Sequence, residues 1–220
     1  MTDQLAHAPS YLAEYVEQVD ALRELGYRYW QEGWSRGTSS NYSVLLQRDP
    51  MHILVTASGK DKGRLSRGDF VVVDGAGNRI HEDAPKSSAE TLLHCIGYQC
   101  LPEVGAILHT HSPWATVLSQ RFFPAKGIEL QDFEMLKGLR GVTTHQQTVW
   151  LPIFDNTQDI PALAAQVQLF AQNYPSQLAY GYLIRRHGLY TWGRDLDEAA
   201  RHVEVLEFLL ECLGRTICMQ

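Results

Sequence analysis

Two histidines separated by one residue, His109 and His111, close the apolar run Val104-Gly105-Ala106-Ile107-Leu108. Such a run reads as a buried strand. Side chains alternate faces along a strand, so residues two apart leave the same face. Both imidazoles are then close enough to share one divalent cation. A third candidate, His187, follows the strand-like segment Tyr180-Gly181-Tyr182-Leu183-Ile184-Arg185-Arg186 and precedes Gly188. Three histidines on two strand ends, with a fourth position open, is the arrangement of a catalytic rather than a structural zinc. The alternative is a set of partly buried histidines satisfied by hydrogen bonds. His7, His52, His81, His145 and His202 have no partner at ligand spacing and read as ordinary surface or core residues.

Three polar loops have the composition of an anion site. They are Gly37-Thr38-Ser39-Ser40-Asn41, Thr56-Ala57-Ser58-Gly59-Lys60-Asp61-Lys62-Gly63 and Lys86-Ser87-Ser88. Small residues let backbone N–H groups approach an anion, hydroxyls donate, and a helix N-terminus favours negative charge. Each loop is also what an ordinary turn looks like. Two glutamates compete for acid/base work. Glu90 is the third position of a capping box, Ser87-Ser88-Ala89-Glu90, and His94 lies one helical turn further on. Glu134 lies in Leu130-Gln131-Asp132-Phe133-Glu134-Met135-Leu136-Lys137-Gly138, where the alternative is a solvated helix position.

The elements that must position these groups can be read from hydrophobic period. Residues 11–32 carry apolar side chains at three-four spacing and form a helix ended by Gly33. Residues 41–46, 52–56 and 70–73 read as strands joined by turns. Helices are expected over residues 87–100, 113–119, 130–139 and 160–174, and short strands over 148–153 and 180–186. A tight return, Leu189-Tyr190-Thr191-Trp192, leads to a last helix, which opens on the capping box Asp195-Leu196-Asp197-Glu198 and runs to about Arg215. Early hairpins followed by alternating helices and strands suggest an α/β layered domain spanning residues 1–220, with a central mixed or antiparallel sheet covered by helices on both sides.

Composition narrows the partners. The 220 residues are 45% hydrophobic and 20% charged, with net charge −6. That balance argues against a nucleic-acid surface, which needs clustered Lys and Arg. No apolar window is long enough for a membrane span, and the N-terminus lacks the pattern of a signal peptide. A cytoplasmic location follows as the expectation. Cys95, Cys100, Cys212 and Cys218 form no Cys-x-x-Cys and read as reduced thiols. Glycine-rich nucleotide motifs are absent from the sequence.

The ordered set Gly37-Thr38-Ser39-Ser40-Asn41, Thr56-Ala57-Ser58-Gly59, Ser87-Ser88-Ala89-Glu90, His109-Thr110-His111 and Arg186-His187-Gly188 resembles the class II aldolase/adducin family over nearly the whole chain. The resemblance implies that His109, His111 and His187 bind one zinc ion per subunit. It implies that Ser40, Asn41, Ser58, Gly59, Ser87 and Ser88 line the phosphate end of a small phosphorylated ketose. It also implies a homotetramer with sites at subunit boundaries. Residues 132–138 and 185–193 look most like the branch of that family that dehydrates 5-methylthioribulose 1-phosphate in methionine salvage. A sugar-phosphate aldolase or epimerase of the fuculose or ribulose phosphate type is the alternative, and a non-catalytic adducin-like module a further one. In the aldolases a glutamate at the position of Glu90 is the acid/base; in the dehydratase branch one at the position of Glu134 is the stronger candidate. The expectation is therefore that Glu134 carries the proton transfer and Glu90 supports the site.

Overall fold

A computed structural model of the chain describes residues 8–219. His7 and the N-terminal segment read above for targeting lie outside the described residues. Eight strands form one mixed sheet. They are β1 (Asn41–Arg48), β2 (Met51–Thr56), β3 (Phe70–Asp74), β4 (Ala106–Thr110), β5 (Gly127–Leu130), β6 (Val149–Phe154), β7 (Gly181–Ile184) and β8 (Gly188–Gly193). Their order is β3-β2-β1-β4-β8-β7-β6-β5. Neighbours run antiparallel except β6 and β7, which are parallel. The helices are α1 (Val16–Gln31), α2 (Thr91–Cys100), α3 (Pro113–Arg121), α4 (Ile160–Asn173) and α5 (Leu196–Cys218).

Strand alternation sorts the core into two layers. Ile53, Val55, Val71, Val73, Ile107, Tyr182, Ile184 and Tyr190 face α2 and α4. The residues between them face the other way: Leu54, Phe70, Val72, Ala106 and Leu108 pack against α1 and the start of α5. Leu183 and Leu189 join α3 and the middle of α5. The sheet is thus covered on both faces, as the α/β layered reading expects. Among the described residues no helix is long and apolar enough to cross a membrane, and all four cysteines are free.

The structure departs from the sequence reading in three places that bear on the site. Residues 130–139 are not one helix. Leu130 ends β5, Asp132 takes a left-handed φ of 63°, and only Glu134–Gly138 coil as a 3₁₀ turn. The buried spacing of Leu130, Leu136 and Leu139 imitates a helix while the chain turns between them. Secondly, residues 189–192 are no tight return; they are the middle of β8, paired with both β4 and β7.

The third departure is at Ser87-Ser88-Ala89-Glu90. The helix starts at Thr91, so Glu90 is its N-cap and makes no side-chain cap. Ser88 Oγ instead accepts from the Glu90 N–H at 3.2 Å. The same string that spells a capping box therefore leaves the Glu90 carboxylate unused by the helix. At Asp195 the N-cap half forms, with Asp195 Oδ1 accepting from Glu198 N at 2.8 Å, while Glu198 Oε2 accepts from Arg194 N, one residue before the cap, at 2.9 Å.

Gly188 fixes where the β7–β8 hairpin sits. A Cβ there would stand 2.0 Å from the Thr110 carbonyl oxygen and 3.1 Å from His109 Cε1. Only glycine lets the hairpin close this tightly on β4. The preceding Arg186 takes a left-handed φ of 55° to turn the chain. His187 is thereby carried to the end of β4.

Candidate metal centre and active site

The register of β4 builds the centre. His109 pairs across with Asn41 on β1 and with Tyr190 on β8. Its ring is fully buried and stacks on Tyr190 with centroids 3.9 Å apart. His111 follows the strand end on the same face, and the hairpin brings His187. The three Nε2 atoms converge: His109 to His111 is 2.8 Å, His111 to His187 is 3.1 Å, and His109 to His187 is 3.3 Å.

Nitrogen lone pairs this close need a shared partner. His109 Nδ1 donates to the Leu189 carbonyl at 2.9 Å, which places the ring proton on Nδ1 and leaves Nε2 a lone pair. Burial holds His109 well below the usual imidazole range, and the neighbouring His111 adds to this. Burial, then the nearby charges of His187 and Lys62, take His111 down to about 4. Both rings are neutral at ordinary pH, the state a metal requires. Glu90 completes the group, with Oε1 3.1 Å from His187 Nε2 and Oε2 3.8 Å from His109 Nε2. These four side chains offer one oxygen and three nitrogens within 4.8 Å of one another. The donor set suits a divalent transition metal with an open position.

Glu90 is aimed by a directed chain of hydrogen bonds. Burial takes the fully enclosed His94 down to about 4, so it is neutral. Its Nε2 faces Asn41 Oδ1, which can only accept. His94 Nδ1 must then accept from the Ser43 hydroxyl, at 2.7 Å, and Tyr98 OH donates to Ser43 at 2.8 Å. With its oxygen so occupied, Asn41 turns Nδ2 to Glu90 Oε2 at 2.7 Å. An amide nitrogen can only donate, so Glu90 is held as an acceptor. Burial alone would raise its carboxyl; the His187 hydrogen bond and the Asn41 amide outweigh that and hold it below the usual carboxylate range.

The centre opens into a cavity of about 460 Å³. Ser40, Asn41, Ser58, Gly59 and Ser88 line it together with Glu90, His111 and His187. Asn41 has only its second amide hydrogen left for a ligand. Ser87 does not line this cavity; it bridges to Ala57 and faces an adjoining one. A second lobe of about 490 Å³ shares His111 and His187 and adds Arg36, Thr116 and Arg186. Asn156, Thr157 and Gln158, from the loop between β6 and α4, line the site and are missing from the sequence reading. Their polar run was visible, but nothing in the sequence ties that loop to the histidines.

Glu134 stands elsewhere. Its side chain is 71% exposed and paired with Lys137 and, at 3.5 Å, with His145 Nδ1. It is not among the residues lining either lobe of its own chain's site. The expected grouping of Glu134 with the zinc histidines is therefore not what one chain forms, because the 3₁₀ turn that carries it sits against α5 rather than over the cavity. His94 and His202 are core residues held by hydrogen bonds, His202 through Nδ1 to the Trp192 carbonyl at 2.7 Å.

Behind the centre lies a buried acid. Thr110 points to the opposite face from His109, and its Oγ1 donates to Glu207 Oε1 at 2.6 Å. Glu207 Oε2 is buried without a partner, and burial pushes the carboxyl up to about 7. A group whose folded value stands above its unfolded one, about 4.3, binds its proton more tightly when folded. Its contribution to stability is therefore fully present below the unfolded value and lost as pH rises through about 7. At about 1.4 kcal/mol per unit, the loss is about 4 kcal/mol as an upper bound. Glu207→Gln should gain on the wild type in denaturant midpoint between about pH 5 and about pH 8. Parallel pH curves for the two proteins would refute the shift.

This fold and histidine set define a family. The model of the class II aldolase and adducin N-terminal domain matches residues 20–213. The chain belongs to the class II aldolase/adducin family. It is 47% identical over 201 residues to a methylthioribulose-1-phosphate dehydratase of Marinobacter nauticus, covering 91% of this chain and 94% of that one. It is 50% identical over 198 residues to a protein of the same name from Pseudomonas fluorescens, covering 90% of each. Among solved structures, L-fuculose-1-phosphate aldolase from Thermus thermophilus superposes with a TM-score of 0.72 at 22% identity, covering 93% and 97% of the two chains. That likeness shows the shared fold.

Proposed function

We propose that this chain is a metal-dependent hydro-lyase that converts 5-methylthioribulose 1-phosphate to 2,3-diketo-5-methylthiopentyl 1-phosphate, a step of methionine salvage. The observation that carries this reading is identity near one half, over about nine-tenths of each chain, to relatives named for that dehydration. The three convergent imidazoles support a metal-dependent enzyme over a non-catalytic module. We further propose zinc as the ion, a cytoplasmic homotetramer as the working form, and sites at its subunit boundaries.

His109, His111 and His187 would hold a divalent ion, which would supply Lewis-acid polarisation of the substrate's oxygens. The chain's own residues do the rest. Hydroxyls and backbone N–H groups of Ser40, Ser58, Gly59 and Ser88, with the free amide hydrogen of Asn41, bind the phosphate; Ser87, which faces the adjoining cavity, takes no part. Glu90, kept as an acceptor by Asn41, is positioned to take the C3 proton. The same carboxyl then returns that proton to the departing C4 hydroxyl, which leaves as water and gives an enol that tautomerises to the diketone. Glu134 keeps a role only by entering the site of a second copy, which its exposure permits.

The same centre would serve carbon–carbon cleavage, and a glutamate at the position of Glu90 favours that second reading. Product identification with methylthioribulose phosphate and fuculose phosphate side by side decides between them. A diketone from the first and no cleavage of the second is expected; aldol cleavage would replace the dehydratase reading. The phosphate assignment has its own test. Ser58→Ala removes one donor to a charged group, worth roughly 1.5–3 kcal/mol, so inhibition by inorganic phosphate should weaken about tenfold to a hundredfold. Unchanged inhibition with normal metal content would make this loop an ordinary turn.

A further inference from the structure

Lys62 is an unusual lysine: its side chain is 1% exposed. It opens the 3₁₀ turn Lys62–Arg64 and its Nζ bends back to donate to the Lys60 carbonyl at 2.7 Å. An ammonium has three donors to satisfy. Among the described residues no carboxylate lies within ion-pair distance of it. Three acids act on it from beyond that distance: Asp61, whose Oδ1 accepts from Gly63 N at 2.9 Å, Asp69, which pairs with Lys60 Nζ at 2.7 Å, and Glu90. Burying a charge without a counter-ion costs free energy, and proteins retain such charges mainly where they have work to do.

The position of that charge says what the work is. The ammonium is held on the Lys60 carbonyl, the residue next after Ser58-Gly59, and Ser58 and Gly59 line the cavity. Gly59 takes a φ of 70°, and a Cβ built on it would meet nothing within 4 Å, so the turn faces open space. The charge of Lys62 is felt at His111, and that of Glu90 at Lys62, so it belongs to the field of the site. Burial pulls the ammonium down to about 8, which leaves it protonated at neutral pH.

We propose that Lys62 is the buried counter-charge for the substrate's phosphate, held behind the Ser58-Gly59 turn so that a bound dianion adds to the more distant negative charge of Asp61, Asp69 and Glu90. This rests on the reading of that turn as the phosphate end. The role differs from that of the hydroxyl donors: Lys62 does not line the cavity and acts through the turn as a fixed field.

A structural lysine and a functional one give opposite signs on stability. Replacing a buried unpaired charge by an apolar side chain of similar length is neutral or stabilising. Inorganic phosphate is the probe, used as a competitive inhibitor of the full-length, metal-containing protein. Lys62→Met should raise the phosphate inhibition constant about tenfold, as loss of one nearby charge at intermediate dielectric implies. It should raise KM for the phosphorylated substrate by a similar factor, with metal content unchanged and Tm equal to or above that of the wild type. An unchanged inhibition constant overturns the proposal. So does a lower Tm or failure to fold, because the lysine would then be structural. Ser58→Ala run alongside separates the two readings. If it weakens phosphate and Lys62→Met does not, only the role of Lys62 fails. If phosphate inhibits none of the three proteins, the phosphate end lies elsewhere and both fail.

Discussion

His187→Ala is expected to abolish metal retention and, with it, activity. His187 is the ligand to remove first because it sits on the β7–β8 turn, where truncation opens no core cavity. His109, by contrast, is sealed against Tyr190. With two imidazoles left, the centre falls below the three protein ligands of a catalytic site. A Lewis acid contributes several kcal/mol to such a reaction, and each 1.36 kcal/mol is tenfold, so a loss of about a thousandfold or more is expected. The measurement is metal content per chain by elemental analysis, taken with turnover on the same sample. The wild type should carry about one ion per chain and the variant almost none, with thermal unfolding of apo samples little changed. Full occupancy in the variant would remove His187 from the metal site. Stripping the wild type with a chelator and restoring zinc, manganese or iron separately then identifies the ion that supports turnover.

How much of this centre was legible in the sequence depends on what kind of rule placed each residue. His109 and His111 follow from strand period, which needs only local sequence. His187 follows from a strand end and a glycine, and the clash at Gly188 shows why that glycine is required. Glu90 was legible as an acid/base candidate, but the direction of its carboxylate was not, because Ser87-Ser88-Ala89-Glu90 spells a capping box for a helix that in fact begins only at Thr91. Its direction is set by Asn41, and Asn41 is set by His94 and Ser43, residues up to 53 positions apart in sequence. The 3₁₀ turn at Glu134 was misread for a related cause. Leu130, Leu136 and Leu139 are buried at helical spacing, but β5 and the left-handed Asp132 intervene. Asn156, Thr157 and Gln158 enter the cavity only because β6 pairs in parallel with β7 and so ends beside His187. Long-range pairing of that kind leaves no local mark.

Glu90→Gln and Glu134→Gln should now separate cleanly, and in the opposite order to the one the sequence suggested. Glu90 is in the centre, oriented by Asn41 and 3.1 Å from His187. Glu134 is 71% exposed and held by Lys137 on the surface of its own chain. A positioned acid or base contributes about 10²–10⁴-fold, roughly 3–5 kcal/mol of barrier. Glu90→Gln keeps the shape and can still face Asn41 through its carbonyl oxygen, so turnover should fall by about that factor with the histidines and their metal retained. Loss of metal in Glu90→Gln would instead make Glu90 a ligand. Glu134→Gln should lose less if the site of one chain is complete. If it loses as much, Glu134 must act in the site of another copy, and mixing gives the decisive measurement. Assemblies formed from Glu90→Gln and Glu134→Gln chains together would contain sites with one intact Glu90 and one intact Glu134. Recovered turnover in the mixture, absent from either variant alone, would place Glu134 at a subunit boundary as the partner of Glu90. No recovery, with Glu90→Gln the more damaged protein, leaves the proton transfer to Glu90 within a single chain.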